Sequence, residues 1–193
     1  MRALFFRICA LSFCVSFASG CASSPADDPA VTKKIFDSGV AAYDAKDYDG
    51  AFRIFSSIDD RDLAAMRNVA LMLRKGLGTA KDPKAAELMY ARAAQGGLAT
   101  AAADLGEMLL NGEADPPDPK AALPWLLGAA DAGHPIAAFE AGQILEEGTA
   151  GPKDIAGARK LYKQAADAGM EDAKARLAAL PAEPSGATPA ANP

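Results

Sequence analysis

Residues 101–136 read AAADLGEMLLNGEADPPDPKAALPWLLGAADAGHPI, and the stretches before and after them repeat the same pattern. Several sets of residues recur at a spacing of 36 positions. A fixed period of this length is typical of a solenoid, in which each unit buries its apolar face against its neighbours. The repeat therefore predicts an elongated fold with extended surfaces suited to binding. The recurring sets are Ala65, Ala101, Ala137 and Ala173; Gly76, Gly112 and Gly148; Asp82, Asp118 and Asp154; Ala86, Ala122 and Ala158; and Gly97, Gly133 and Gly169.

Each unit predicts a pair of helices. In the middle unit the apolar residues between Ala101 and Leu109 recur at i, i+4, i+7 and i+8, which places them on one face of a helix. Gly112 suits the end of that helix, and Asp118 with Pro119 suits the start of the next. A small residue midway along each first helix allows a neighbouring helix to approach closely. These small residues are Ala70, Gly106 and Gly142.

The repeat pattern predicts a domain over residues 31–180. Residues 35–55 match only half of the pattern and form an incomplete first unit, whereas residues 171–180 read as a capping helix. The predicted units are about 31–64, 65–100, 101–136 and 137–172, with the cap at 173–180.

The middle unit also resembles a known family. Its matching residues are Leu105-Gly106, Gly112, Asp118, Ala122, Trp125, Ala129-Ala130 and Gly133-His134, and the chain resembles the Sel-like repeat, a relative of the tetratricopeptide repeat. The resemblance implies an all-α fold, a right-handed α-α superhelical solenoid of antiparallel helix pairs with about three full repeats. It also implies a scaffold that mediates protein–protein interactions.

The amino terminus predicts export. An apolar run from Ile8 to Phe17 follows Arg2 and Arg7 and is too short to span a bilayer, so residues 1–20 read as a signal peptide. Residues 18–21, ASGC, resemble the bacterial lipobox, which implies lipidation of Cys21. Cleavage at this point leaves Cys21 as the only cysteine. The alternative is an ordinary secreted protein cleaved nearby.

These features predict where the protein lies in the cell. Residues 21–30 read as the lipidated cysteine with a flexible tether, and residues 181–193 as a disordered tail rich in proline and alanine. The expected location is the bacterial cell envelope, lipid-anchored at Cys21. Because Ala22 rather than an aspartate follows the cysteine, resemblance to other lipoproteins favours the outer membrane, facing the periplasm.

Charge and residue types argue against several classes of function. The formal net charge is −5, and it becomes −7 once the two signal-peptide arginines are removed, which disfavours nucleic acid as a partner. His134 is the only histidine, so no familiar zinc site or catalytic Cys-His pair can be assembled. We expect no catalytic residues, metal or cofactor, and no small-molecule substrate. The alternative is a peptidoglycan- or β-lactam-acting hydrolase, as in a cysteine-rich branch of the repeat family, although this chain lacks the cysteine pairs of that branch.

The positions that differ between units predict the binding surface. If first helices line the concave side of the solenoid, nine residues face an envelope protein partner. They form a groove with a basic end and an acidic end, in which exposed Leu71, Leu110 and Phe139 are the apolar anchors. The nine residues are Arg67, Leu71 and Arg74; Ala103, Glu107 and Leu110; and Phe139, Gln143 and Glu146.

Overall fold

The structure is a computed structural model that describes residues 28–181, and in this range it contains nine helices and no strand. The six helices from α3 to α8 are each 13 residues long. The helices are α1 (Pro29–Asp44), α2 (Tyr48–Ser56), α3 (Leu63–Lys75), α4 (Pro83–Gln95), α5 (Ala99–Asn111), α6 (Pro119–Asp131), α7 (Pro135–Glu147), α8 (Ile155–Asp167) and α9 (Glu171–Ala179).

Each helix packs mainly against the helices that precede and follow it in the chain. The contacts are densest within the pairs α3–α4, α5–α6 and α7–α8, and α9 closes the array against α8. Such nearest-neighbour packing is the defining property of a repeat array. The prediction of an all-α, tetratricopeptide-like solenoid is confirmed.

The predicted helix ends are also confirmed. The first helix of each full unit ends at a left-handed glycine, with φ of 72° at Gly76, 66° at Gly112 and 71° at Gly148. Glycine has no Cβ and adopts this conformation without a steric penalty. Each second helix begins at an aspartate whose carboxylate accepts a backbone N–H, for example Asp118 Oδ1 from Ala121 N at 2.9 Å.

The small residues of the first helices lie directly under large side chains of the second helices. A Cβ added to Gly106 would lie 2.4 Å from Leu126, and one added to Gly142 would lie 2.7 Å from Tyr162. Leu126 and Tyr162 are themselves fully buried. In the second and third full units the two helices are therefore packed too closely for a side chain at Gly106 or Gly142, whereas the first full unit accommodates the methyl group of Ala70.

The amino-terminal boundary differs from the prediction by two residues. Helix α1 begins at Pro29, and Asp28 caps it by accepting the N–H of Ala30. Pro29 and Ala30 therefore belong to the first helix rather than to the tether. The predicted signal peptide, Cys21 and the tail beyond Pro181 lie outside the described residues. Within residues 28–181, no helix has the length and apolarity needed to cross a membrane.

Candidate binding surface

The nine predicted residues all lie on the first helices α3, α5 and α7, and we call the surface that these helices share the first-helix face. Eight of the nine are partly exposed. Ala103 is the exception, because it is only 7% exposed and packs in the core between the second and third units. The expectation that Ala103 faces a partner is therefore wrong.

Two arginines of α3 form ion pairs with the next unit. The Nε of Arg67 donates to Oδ2 of Asp104 on α5 at 2.6 Å. Arg74 donates to Glu107, with the closest atoms 3.0 Å apart, and also to Glu113 in the loop that follows α5. Each pair joins residues roughly one repeat apart in sequence, so the pairs fasten the first full unit to the second.

The electrostatics of Arg74 follow from its burial between two carboxylates. Its side chain is 12% exposed. Hydrogen bonds to Glu113 and then to Glu107 outweigh the effect of burial and raise the pKa of Arg74 above its ordinary value. The hydrogen bond from Arg74 lowers the pKa of Glu113. The basic end of this face is therefore weaker than expected, because both arginines are paired within the protein, although Lys75 beside them is exposed.

The three predicted apolar anchors are half-buried rather than exposed. Phe139 packs its ring against Tyr162, with the ring centres 5.6 Å apart. Leu71 and Leu110 also lie against core clusters. The large apolar side chains that the structure does expose in the described range are not these anchors but Val31, Val40, Leu88 and Ile136.

Two hollows meet at Leu71 on the first-helix face. One has a volume of about 150 Å³ and an apolar lining of Val40, Tyr43, Phe55 and Leu71, together with Asn68. The other has a volume of about 570 Å³ and a charged lining. Leu71 is the residue that the two linings share, so an extended chain lying across it would contact both hollows. The charged hollow is lined by Arg67, Leu71, Arg74, Lys75, Lys81, Asp104, Glu107 and Glu113.

The acidic end of the face divides into a paired part and an unpaired part. Glu146 accepts a hydrogen bond from the hydroxyl of Tyr162 at 2.7 Å and lies 3.5 Å from Arg176. Glu140, six residues earlier on α7, has no such partner in residues 28–181. Burial, followed by the negative charge of Glu107, raises the pKa of Glu140 to about 7. Gln143 is half-buried on the same helix.

Sequence reasoning missed three contributors to this surface: Glu113, Tyr43 and Tyr162. The period itself contains a signal for the first, because residues one repeat apart lie side by side and Glu113 is 39 positions after Arg74. Tyr43 lies in the incomplete first unit, where the pattern is weak. Tyr162 is fully buried, and it contributes only through its hydroxyl, which donates to Glu146.

His134 has a local structural role. It precedes α7 as the capping residue, and its Nδ1 accepts the N–H of Ala137 at 3.3 Å. Among the residues from 28 to 181, no three His, Cys, Asp or Glu side chains are grouped so as to hold a metal ion.

Comparisons with known proteins place this geometry in a family. The Sel1 repeat model matches residues 63–98, 99–134 and 135–170, which together make up more than half of the chain. These segments begin two residues before the units predicted from the sequence and keep the same length. Among curated protein sequences no match is found.

Solved structures share the fold. A Sel1 repeat protein from Oxalobacter formigenes is 29% identical, with a TM-score of 0.70 over 74% of this chain and 59% of its own length. This chain therefore matches less than two thirds of that relative.

Two further structures are similar in fold alone. The antigen c5321 of uropathogenic Escherichia coli has a TM-score of 0.70 and 20% identity over 76% of this chain and 32% of its own. The immunity protein Pa5087 of Pseudomonas aeruginosa has a TM-score of 0.53 and 24% identity over 78% of this chain and 58% of its own. With three consecutive matched units folded as helix pairs, the chain belongs to the Sel1 repeat family.

Proposed function

We propose that this protein is a lipid-anchored scaffold of the bacterial envelope, which binds a protein partner along its first-helix face. Sel1 repeat proteins generally bind other proteins. The observation that carries the proposal is the pair of hollows that meet at Leu71, one apolar and one charged. An extended polypeptide carries apolar and charged side chains and can fill both hollows at once.

The anchor is proposed from the sequence of residues 1–21. Acylation of Cys21 would hold the repeat domain at the membrane, since two lipid chains are enough for stable anchoring. Resemblance to envelope lipoproteins with similar repeats extends the proposal to complexes that export exopolysaccharide or assemble the cell wall.

Site-specific photocrosslinking in living cells tests the binding face. A photoreactive amino acid replaces Lys75, an exposed residue that lines the charged hollow, or Leu88, a residue of α4 that is 69% exposed. We expect a specific protein adduct from position 75 and none from position 88. The adduct should disappear when Leu71→Gln is added, while the circular dichroism of the protein is unchanged. Equal adducts from both positions would contradict the assignment of the face.

The anchor is tested separately by metabolic labelling with a fatty-acid analogue. The full chain should incorporate the label and fractionate with the outer membrane, and Cys21→Ala should abolish the labelling. A labelled Cys21→Ala chain, or an unlabelled wild-type chain, would reject the lipid anchor without bearing on the binding face.

A further inference from the structure

The ion pairs between units follow a register that fails at the next junction. Arg67 pairs with Asp104, and the two positions one repeat later are Ala103 and Glu140. The acidic residue is thus present at the second junction, whereas the position that should supply its cation is a buried alanine. Glu140 forms no ion pair and no side-chain hydrogen bond within residues 28–181.

The charged groups around Glu140 are either acidic or already paired. From α5 the acidic Glu107 faces it, with a side chain that is 45% exposed although it also accepts from Arg74. Arg176 of α9 already pairs with Glu146 and Glu147, which are also on α7.

The remaining charged or titratable groups on neighbouring helices do not supply a cation either. On α5, Asp104 already pairs with Arg67. On α8 the Tyr162 hydroxyl donates to Glu146. The cations of α8 do not act on Glu140 either: Arg159 donates to the carbonyl of Pro181, Lys163 pairs with Asp167, and Lys160 is exposed. On α6, Lys120 and Asp131 are exposed and do not affect the pKa of Glu140.

We propose that the first-helix face between α5 and α7 docks a basic segment of a partner protein and places one lysine or arginine side chain between Glu107 and Glu140. This inference rests on the proposed function and names the chemistry of the partner at that surface. Half-buried Leu110 and Phe139, on the same two helices, offer apolar surface to the aliphatic stem of such a side chain. The negative charge of the whole chain favours the approach of a cationic partner.

Protonation gives the proposal a measurable signature. The pKa of Glu140 lies at about 7 in the free protein, so near neutral pH this carboxyl holds a proton for part of the time. A bound cation favours the charged carboxylate and releases that proton. Binding of a basic segment should therefore tighten as the pH rises from about 6 to about 8.

Selection from a phage-displayed library of random heptapeptides tests the proposal. The full chain is immobilised as wild type, as Glu140→Gln, and as Asp131→Asn, which removes the same charge from the end of α6. Peptides recovered on the wild type should be enriched in lysine and arginine. The strongest binder should lose affinity about tenfold on Glu140→Gln, the size expected for one charge-assisted contact, and should bind Asp131→Asn unchanged.

The possible results separate this inference from the proposed function. Peptides that are not basic, yet lose binding on Leu71→Gln, would overturn the inference and leave the scaffold in place. Basic peptides that bind Glu140→Gln as well as wild type would also overturn it. If no peptide is selected on the first-helix face, both proposals fail. Equal weakening by Asp131→Asn would show an effect of net charge alone and would reject the docking position.

Discussion

At the scale of single residues, glycine has opposite effects on stability at two positions in this solenoid. Gly142 of α7 lies under the ring of Tyr162, and an added Cβ would meet that ring at 2.7 Å. Gly128 of α6 is exposed, and a Cβ there would meet nothing within 4 Å. Close packing therefore requires glycine at the first position, whereas at the second glycine only weakens the helix.

Replacing each glycine with alanine should change stability in opposite directions. Gly142→Ala forces Tyr162 out of its position and should lower the free energy of unfolding by about 1–3 kcal/mol. Gly128→Ala removes backbone freedom from the unfolded chain and should raise it by about 1 kcal/mol. Urea unfolding monitored by circular dichroism measures both. A stabilised Gly142→Ala variant would show that α7 and α8 are not packed as described.

Glu140 provides the second residue-scale prediction, which concerns pH. The folded-state pKa of about 7 lies above the ordinary value of 4.5, so between these values the folded chain keeps a proton that the unfolded chain has lost. Stability contributed by this proton is present below about pH 4.5 and is lost as the pH rises through about 7.

Glu140→Gln removes this titration without changing the shape of the side chain. At about pH 8 the free energy of unfolding of the variant should exceed that of the wild type by about 1–2 kcal/mol. This figure includes a reduction for solvent screening. At about pH 4 the two proteins should be equally stable, because the carboxyl is protonated in both states. A constant difference across the whole pH range would show that the effect does not come from ionisation of Glu140.

At the scale of helices, the ends of each element were predictable but the links between units were not. A cap such as Asp118 or Gly112 acts on backbone groups within four residues, so local sequence contains the necessary information. The link between Arg67 and Asp104 joins residues 37 positions apart. Sequence reasoning treated those charges as an exposed gradient because it considered each helix face by itself rather than against the next repeat.

A double-mutant cycle measures how strongly that link joins α3 to α5. Arg67 and Asp104 have side chains that are 31% and 18% exposed, so replacing both with alanine should reveal a coupling energy of about 0.5–1 kcal/mol. The matched control is the pair Lys33–Asp37 within α1, with side chains 73% and 58% exposed, where we expect only a few tenths of a kcal/mol. Equal couplings at the two sites would contradict a special role for the link between repeats.

At the scale of the whole molecule, the chain is a row of units that depend on their neighbours. The fold followed from the 36-residue period because each unit repeats one local solution. The chemistry of the binding surface did not follow from the period, because it depends on side chains that differ between units. Thus Ala103 in place of an arginine, and Leu110 in place of Arg74, change the chemistry of the face while leaving the helices alike.

The cap at the end of the row offers the last prediction. Ala173 and Leu180 are buried against α8, where Leu180 shares a cluster with Ala158 and Tyr162. A chain that stops at Gly169 would expose this surface to water. We expect its free energy of unfolding to fall by several kcal/mol, since burial of one leucine alone contributes about 2 kcal/mol.

Hydrogen exchange shows how far that loss spreads through the molecule. In a nearest-neighbour array, amides of α7 and α8 should exchange faster in the shortened chain, whereas those of α3 and α4 should change little. A chain that stops at Pro181 retains every described helix and serves as the control. If the exchange of α3 and α4 amides accelerated as much as that of α8 amides, the solenoid would unfold as one cooperative block. Coupling between distant units would then outweigh the packing of each helix against its nearest neighbours.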